Sequence, residues 1–282
     1  MRQQPAASWI STSPTHAVPL EQAIDRLSRH GAVEGILIIG SAVESSMTPA
    51  SDYDLVLVLS DMPVPLGVAL TTIDGRLADL IFVTARQIDE VLALDAPVDG
   101  DQWIGRIVRW LLAGQIAYDR SGAIARAQAK VQGGDWLLAK TLLDGYGAWF
   151  RINFNLAHTR RLFVSPDPTY QAAAELRTAL YGHSDLLFGY WEIRALSWEG
   201  DKAAIRYLTA HDPDYLALFQ RFMREPDPRD KFALYEQLAA RTIAPLGPLW
   251  PKDLLTFTID GPIESQAVIE TGRHFCHSLL AE

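Results

Sequence analysis

Two short apolar runs, GILIIG at residues 35–40 and DLVLVL at residues 54–59, constrain the fold of this chain more than any other feature. Each is too short for a buried helix, is rich in aliphatic residues, and is bounded by glycine, serine or acid, so both read as buried strands. A further pair, VALTTI (68–73) and RLADLIFVT (76–84), flanks Asp74-Gly75, a two-residue turn that tolerates positive φ at both positions and therefore closes a β-hairpin. Before these strands LEQAIDRLSRH has helical spacing, with Gly31 as its stop. After them ARQIDEVLALD, QWIGRIVRWLLAG and SGAIARAQAKVQ read as helices and QIAYD as a short strand. The first part of the chain is thus a mixed sheet, partly antiparallel, with flanking helices.

Beyond Gly133-Gly134 the pattern becomes helical. DWLLAKTLLDGYGAWFRINFNLAHTRRLF (135–163) and YQAAAELRTALYGHSDLLFGYWEIRAL (170–196) predict two long helices, followed by shorter ones near 201–210, 214–224 and 230–243. PLGPLWP (245–251) breaks the pattern, TFTID (256–260) reads as extended, and SQAVIETGRHFCHSLL (265–280) predicts a last helix. The expected fold class is α+β in two domains: residues 1–133 with the mixed sheet, and 134–282 as an all-α bundle.

Composition excludes several classes of function. At 49% apolar and 21% charged the chain is neither disordered nor fibrous. Its one cysteine, Cys276, cannot form an internal disulfide and points to a reducing, cytoplasmic setting. No run approaches the ~20 apolar residues of a membrane span, and MRQQPAASWISTSPTHAVPLEQ lacks the apolar core of a secretion leader. Net charge is −9, divided as −5 up to Gly133 and −4 after it, so neither half offers the basic field of a general nucleic-acid binder.

The chemistry concentrates in GSAVESSMTPASDYDLVLVL, residues 40–59. Asp52 and Asp54 are two apart, so on a strand they share a face, and two like charges held there call for a positive partner. A divalent cation meets that need: Mg²⁺ takes one or two carboxylates and completes its shell with water and phosphate oxygens. Asp79, inside the apolar run RLADLIFV, is a third acid on a later strand, and three acids on neighbouring strands suit a site for two Mg²⁺ ions. Gly40 allows close backbone approach to a ligand, and Ser41 can donate to phosphate oxygens.

This order of strand, Gly40-Ser41, spacer, Asp52-x-Asp54 on the next strand and Asp79 on a later one resembles the DNA polymerase β-like nucleotidyltransferase superfamily. GSAVESSMTPASDYDLVLV is especially similar to the corresponding segment of aminoglycoside (streptomycin/spectinomycin) adenylyltransferases, although Ser45 and Ser46 stand where a second glycine often sits. The resemblance implies an Mg²⁺-dependent enzyme that moves a nucleoside monophosphate, AMP from ATP or that of another NTP, to a hydroxyl of a small, aminoglycoside-like acceptor. It implies that Asp52 and Asp54 bind both metals, Asp79 binds the metal at the attacking oxygen, and Gly40 and Ser41 bind the triphosphate. A homodimer is the assembly expected of such enzymes. Two other readings stay open: transfer to protein or tRNA in a toxin–antitoxin-like system, and a nucleotide-binding regulator without turnover.

In the second half Lys140, Asp144, Gly147, Arg151, Asn155 and His158 recur at intervals of three or four, which on one continuous helix makes a polar stripe. With most of the surrounding positions apolar, such a helix should be buried and turn this stripe to a cleft. By resemblance to the antibiotic enzymes, Lys140 would reach the triphosphate and Asp144 the acceptor hydroxyl, with Asp79 an alternative general base and Arg151 and His158 further acceptor contacts. Arg151-x6-His158 also resembles the motif of HEPN-type helical domains, some of which are ribonucleases. His183, His211, His274 and His277 show no zinc-ligand spacing, and neither a Walker A loop nor a Gly-x-Ser-x-Gly elbow occurs.

Overall fold

The protein is described by a computed structural model over residues 18–43, 47–251, 255–259 and 263–280. The expectations concerning the N-terminal residues 1–17, Ser45 with Ser46, and Asp260 fall outside those residues. The chain divides into two compact units, Met1–Leu138 and Ala139–Glu282.

In the first unit the chain runs α1 (Leu20–Ser28), β1 (Val33–Ile39), β2 (Tyr53–Leu59), β3 (Val68–Ile73), β4 (Arg76–Thr84), α2 (Ala85–Leu92), α3 (Trp103–Ala113), β5 (Gln115–Asp119) and α4 (Ala123–Gln132). The strands form one sheet in the order β3-β4-β2-β1-β5, in which only the β2–β4 pairing is parallel. Alternation explains why β2 reads as a continuous apolar run. Leu55, Leu57 and Leu59 face one side of the sheet, where Ile24 and Leu27 of α1 pack, while Val56 and Val58 face the other, against α2, α3 and α4. With helices on both faces, no position between Leu55 and Leu59 can be polar without losing buried area worth about 1.5–3 kcal/mol per large side chain. The β3–β4 hairpin turns through Asp74 (φ 52°) and Gly75 (φ 71°), as the sequence predicts. Thr84 and Gln87 then close a capping box at the start of α2.

The second unit is helical: α5 (Tyr146–Val164), α6 (Pro168–Ile193), α7 (Asp201–His211), α8 (Pro213–Arg224), α9 (Pro228–Ile243) and α10 (Gln266–Leu280). Three of these begin with the same dipeptide. Asp167-Pro168, Asp212-Pro213 and Asp227-Pro228 each set proline at the first helical position and an aspartate that accepts backbone N–H groups at 2.7, 3.1 and 2.9 Å. The core joins Ile152 of α5, Leu186 of α6, Tyr215 of α8, and Tyr235 and Leu238 of α9.

The helix read from Asp135 begins only at Tyr146. Residues 136–138 are instead extended beside Val98, whose N–H donates to the Trp136 carbonyl at 3.0 Å and whose carbonyl accepts from Leu138 at 2.9 Å. Next, Thr141 starts a 3-10 turn, Leu142–Gly145, in which the Asp144 carboxylate accepts from the Thr141 N–H at 2.6 Å and hydroxyl at 3.0 Å. Local polar bonds and pairing with Val98 thus outcompete helical propensity over residues that are apolar enough to suggest a helix.

Candidate functional site

The Gly-Ser turn and the acids of the first unit are brought together by strand register. Ile39 at the end of β1 is the Cα partner of Asp54 on β2, and Asp54 is the Cα partner of Asp79 on β4. Three neighbouring strands therefore place the start of the Gly40–Ala42 turn, Asp54 and Asp79 in one row across the sheet, with strands about 4.8 Å apart. Asp52 lies two residues before Asp54, just outside β2, and all three acids are half-buried. Asp54 and Asp79 lie on the sheet face that α2, α3 and α4 cover farther along, because Asp54 has the parity of Val56 and Val58, and Asp79 that of Ile81 and Val83.

Gly40 is required at its position for two reasons. Its φ is +70°, in the left-handed region, and a Cβ built there would lie 2.7 Å from Oδ2 of Asp54. The turn thus rests directly on a carboxylate. Ser41 Oγ and Asp79 Oδ1 are both shielded from solvent and have no hydrogen-bond partner among the described residues. Shielded polar atoms of this kind cost stability unless something meets them, and a carboxylate oxygen and a hydroxyl so placed suit a cation and a phosphate.

The segment that delivers Asp52 is fixed by groups the sequence reading does not single out. Ser51 is buried, and its Oγ accepts from the Thr48 N–H at 2.9 Å. Arg76, at the start of β4, donates through Nη1 to the carbonyls of Thr48 and Ser51 at 2.5 and 3.1 Å. An arginine directly after the Asp74-Gly75 turn is the only trace of this clamp in the sequence.

Among the described residues, no three His, Cys, Asp or Glu side chains form a group ready to hold one metal ion. The acids fit Mg²⁺ in a different sense. Two carboxylates in register, one with a shielded oxygen that lacks a partner, match an ion that takes one or two protein carboxylates and completes its octahedron with water and phosphate.

Lys140, Asp144, Arg151 and His158 belong to the second unit, and they do not form the single stripe expected of them. Lys140 precedes the helix and Asp144 lies in the 3-10 turn, so helical spacing does not relate either to Arg151. Asp144 lines a cavity of about 310 Å³ together with Leu143, Tyr146, Gly147, Phe150 and Ile259. Arg151 and Asn155 do share a face of α5, but it is turned to α6. Asp185 of α6, only 4% exposed, accepts from Arg151 Nε at 3.1 Å and from Asn155 Nδ2 at 2.7 Å. Arg151 also donates to both carboxylate oxygens of Glu192 at 3.1 Å, and Arg177 donates to Asn155 Oδ1 at 3.0 Å. These carboxylates hold the Arg151 guanidinium pKa above its usual value although burial alone would lower it. His158 lies against Phe154, the ring centroids 4.3 Å apart and the planes tilted by 40°, and burial, with Arg177 and Arg161 nearby, lowers its pKa. The network was foreshadowed by one signal, an aspartate in the otherwise apolar run SDLLFGYW.

No family model and no curated protein sequence matches the chain. Among solved structures, a nucleotidyltransferase-like protein from Exiguobacterium sibiricum is similar over 79% of this chain and 74% of that chain, with 15% sequence identity and a TM-score of 0.42. Among the described residues no helix is long and apolar enough to cross a membrane.

Proposed function

We propose that the chain is an Mg²⁺-dependent nucleotidyltransferase, whose donor is ATP or another NTP and whose acceptor is a small molecule bearing a hydroxyl. The observation that carries this reading is the row formed by the Gly40 turn, Asp54 and Asp79 on three adjacent strands. Asp54 and Asp79, with Asp52 beside them, would hold the metal, while the Gly40-Ser41 turn would donate to the triphosphate. Bound Mg²⁺ supplies charge neutralisation on the phosphates and acidifies the acceptor hydroxyl. The acceptor oxygen attacks Pα in line, the bond from Pα to the β-phosphate bridging oxygen breaks, and pyrophosphate leaves. The hydroxyl proton passes to a carboxylate, for which Asp79 is better suited than Asp144, since Asp144 already accepts two hydrogen bonds from Thr141. Here the chain's work is positioning: Gly40 lets phosphate and carboxylate approach, and Arg76 fixes the turn before Asp52. The single cysteine fits a reducing cytosol, and Lys140 would reach the triphosphate.

The reading is tested with α-labelled ATP, Mg²⁺ and a panel of hydroxyl acceptors, following label transfer and pyrophosphate release. Wild-type protein is expected to label an acceptor, and Asp54→Asn and Asp79→Asn each to lose about a hundredfold or more in rate with an unchanged melting temperature. Full activity in Asp54→Asn would remove the basis of the assignment.

A further inference from the structure

β3 is an outer strand of the sheet, and on the acids' side it exposes Val68, Leu70 and Thr72. Uninterrupted register sets Val68, Leu70 and Thr72 of β3 opposite Ile81, Asp79 and Leu77 of β4, so all six side chains share one face. Farther along β4 that face is covered, with Val83 fully buried in the cluster that includes Ile88 and Val91 of α2. Nearer Asp79 the apolar side chains are exposed: Val68 is 56% exposed, Leu70 69% and Leu77 54%. Outer strands are commonly protected by charge or proline, and VALTTI carries neither. Leu70, as the direct partner of Asp79, has its Cβ about 5 Å from that of the acid.

We propose that Val68, Leu70 and Leu77 form a shelf that selects the acceptor: a small molecule that brings its hydroxyl to Asp79 and lays an aliphatic or aromatic body across β3. This rests on the nucleotidyl-transfer reading and narrows its acceptor class to molecules with an apolar body beside the reacting hydroxyl. Exposed apolar side chains grouped on one face suit the apolar body of a ligand, and these adjoin the acid assigned to the attacking oxygen. A second copy pairing along the free edge of β3 would satisfy that edge but leave the face uncovered. A protein seated permanently on the face would close off Asp79.

The test uses the full chain with ATP and Mn²⁺ in place of Mg²⁺, and cyclohexylmethanol as the probe with glucose as its polar counterpart. Nuclear relaxation by Mn²⁺ falls steeply with distance, so it reports separately on bound ATP and on the alcohol. The shelf predicts relaxation of the ATP protons and of the carbinol protons of cyclohexylmethanol, with much less for glucose. In Leu70→Ser and Leu77→Ser the ATP effect stays and the alcohol binds about tenfold more weakly. Both substitutions are at exposed positions, and a melting curve verifies folding. Equal relaxation of both alcohols, or an unchanged cyclohexylmethanol effect in both variants, overturns the shelf while leaving the metal and nucleotide site intact. Absence of any effect on ATP overturns the site and the shelf together. Sedimentation adds one further outcome: a dimer that dissociates in Leu70→Asp, without alcohol relaxation in wild type, gives the face to a second copy and overturns the proposal.

Discussion

Gly40 shows how closely one residue can be specified by its neighbours. Its positive φ and the nearby Asp54 carboxylate both exclude a side chain. Gly40→Ala is expected to cost about 1–2 kcal/mol from the backbone conformation alone, read by urea denaturation, and to displace Asp54 as well. Nucleotide affinity should therefore fall beyond what the loss of stability explains. His158 makes a second prediction at this scale. Its pKa is lowered in the folded protein by burial and by Arg177 and Arg161, so the unfolded chain binds a proton more readily. This contribution is fully present above the ordinary histidine pKa of about 6.5 and is lost as pH falls through the lower folded value. Melting temperature should decline across that acid window, and His158→Gln should decline less steeply. An identical slope in the variant would assign the acid sensitivity to other groups.

At the scale of elements, the sheet was readable because its code is strict. Two-residue alternation, an Asp-Gly turn and buried apolar runs leave little choice, and β3, β4 and their turn match the expected limits residue for residue. Helices α6 to α9 were readable from periodicity. The 135–145 segment was not, because a backbone pairing with Val98 and a capping interaction between Thr141 and Asp144 decide its shape, and neither has a periodic signature. The polar face of α5 was visible as a pattern, but its partner was not: Asp185 lies thirty-four residues beyond Arg151, and only packing brings them together. That pair gives a prediction on stability. Asp185→Asn should cost about 2 kcal/mol, a charge-assisted bond rather than a fully buried ion pair, since the Arg151 side chain is 43% exposed and keeps Glu192. The double variant Arg151→Met with Asp185→Leu should recover only part of that loss, because the buried Asn155 amide is left without its acceptor. A cost near zero for Asp185→Asn would mean that the network is not what holds α5 to α6.

At the scale of the whole molecule, the two units divide the problem in a way that the sequence made partly legible. The juxtaposition of Gly40, Asp54 and Asp79 was legible in the sequence because these residues lie within forty residues and are tied by sheet register, whereas Arg76 and Ser51, which steady the neighbouring turn through backbone carbonyls and a buried hydroxyl, carried no motif. The acceptor is the part that no short motif encodes, and the exposed leucines beside Asp79 become meaningful only when β3 and β4 are paired. Whether Asp54 and Asp79 hold a divalent cation against a nucleotide is decided by calorimetric titration of ATP with and without Mg²⁺. Wild-type protein should bind ATP about tenfold or more tightly when Mg²⁺ is present, and Asp54→Asn and Asp79→Asn should lose that gain while melting as wild type does. ATP binding of equal strength with and without Mg²⁺, or an undiminished Mg²⁺ effect in both variants, would contradict that arrangement.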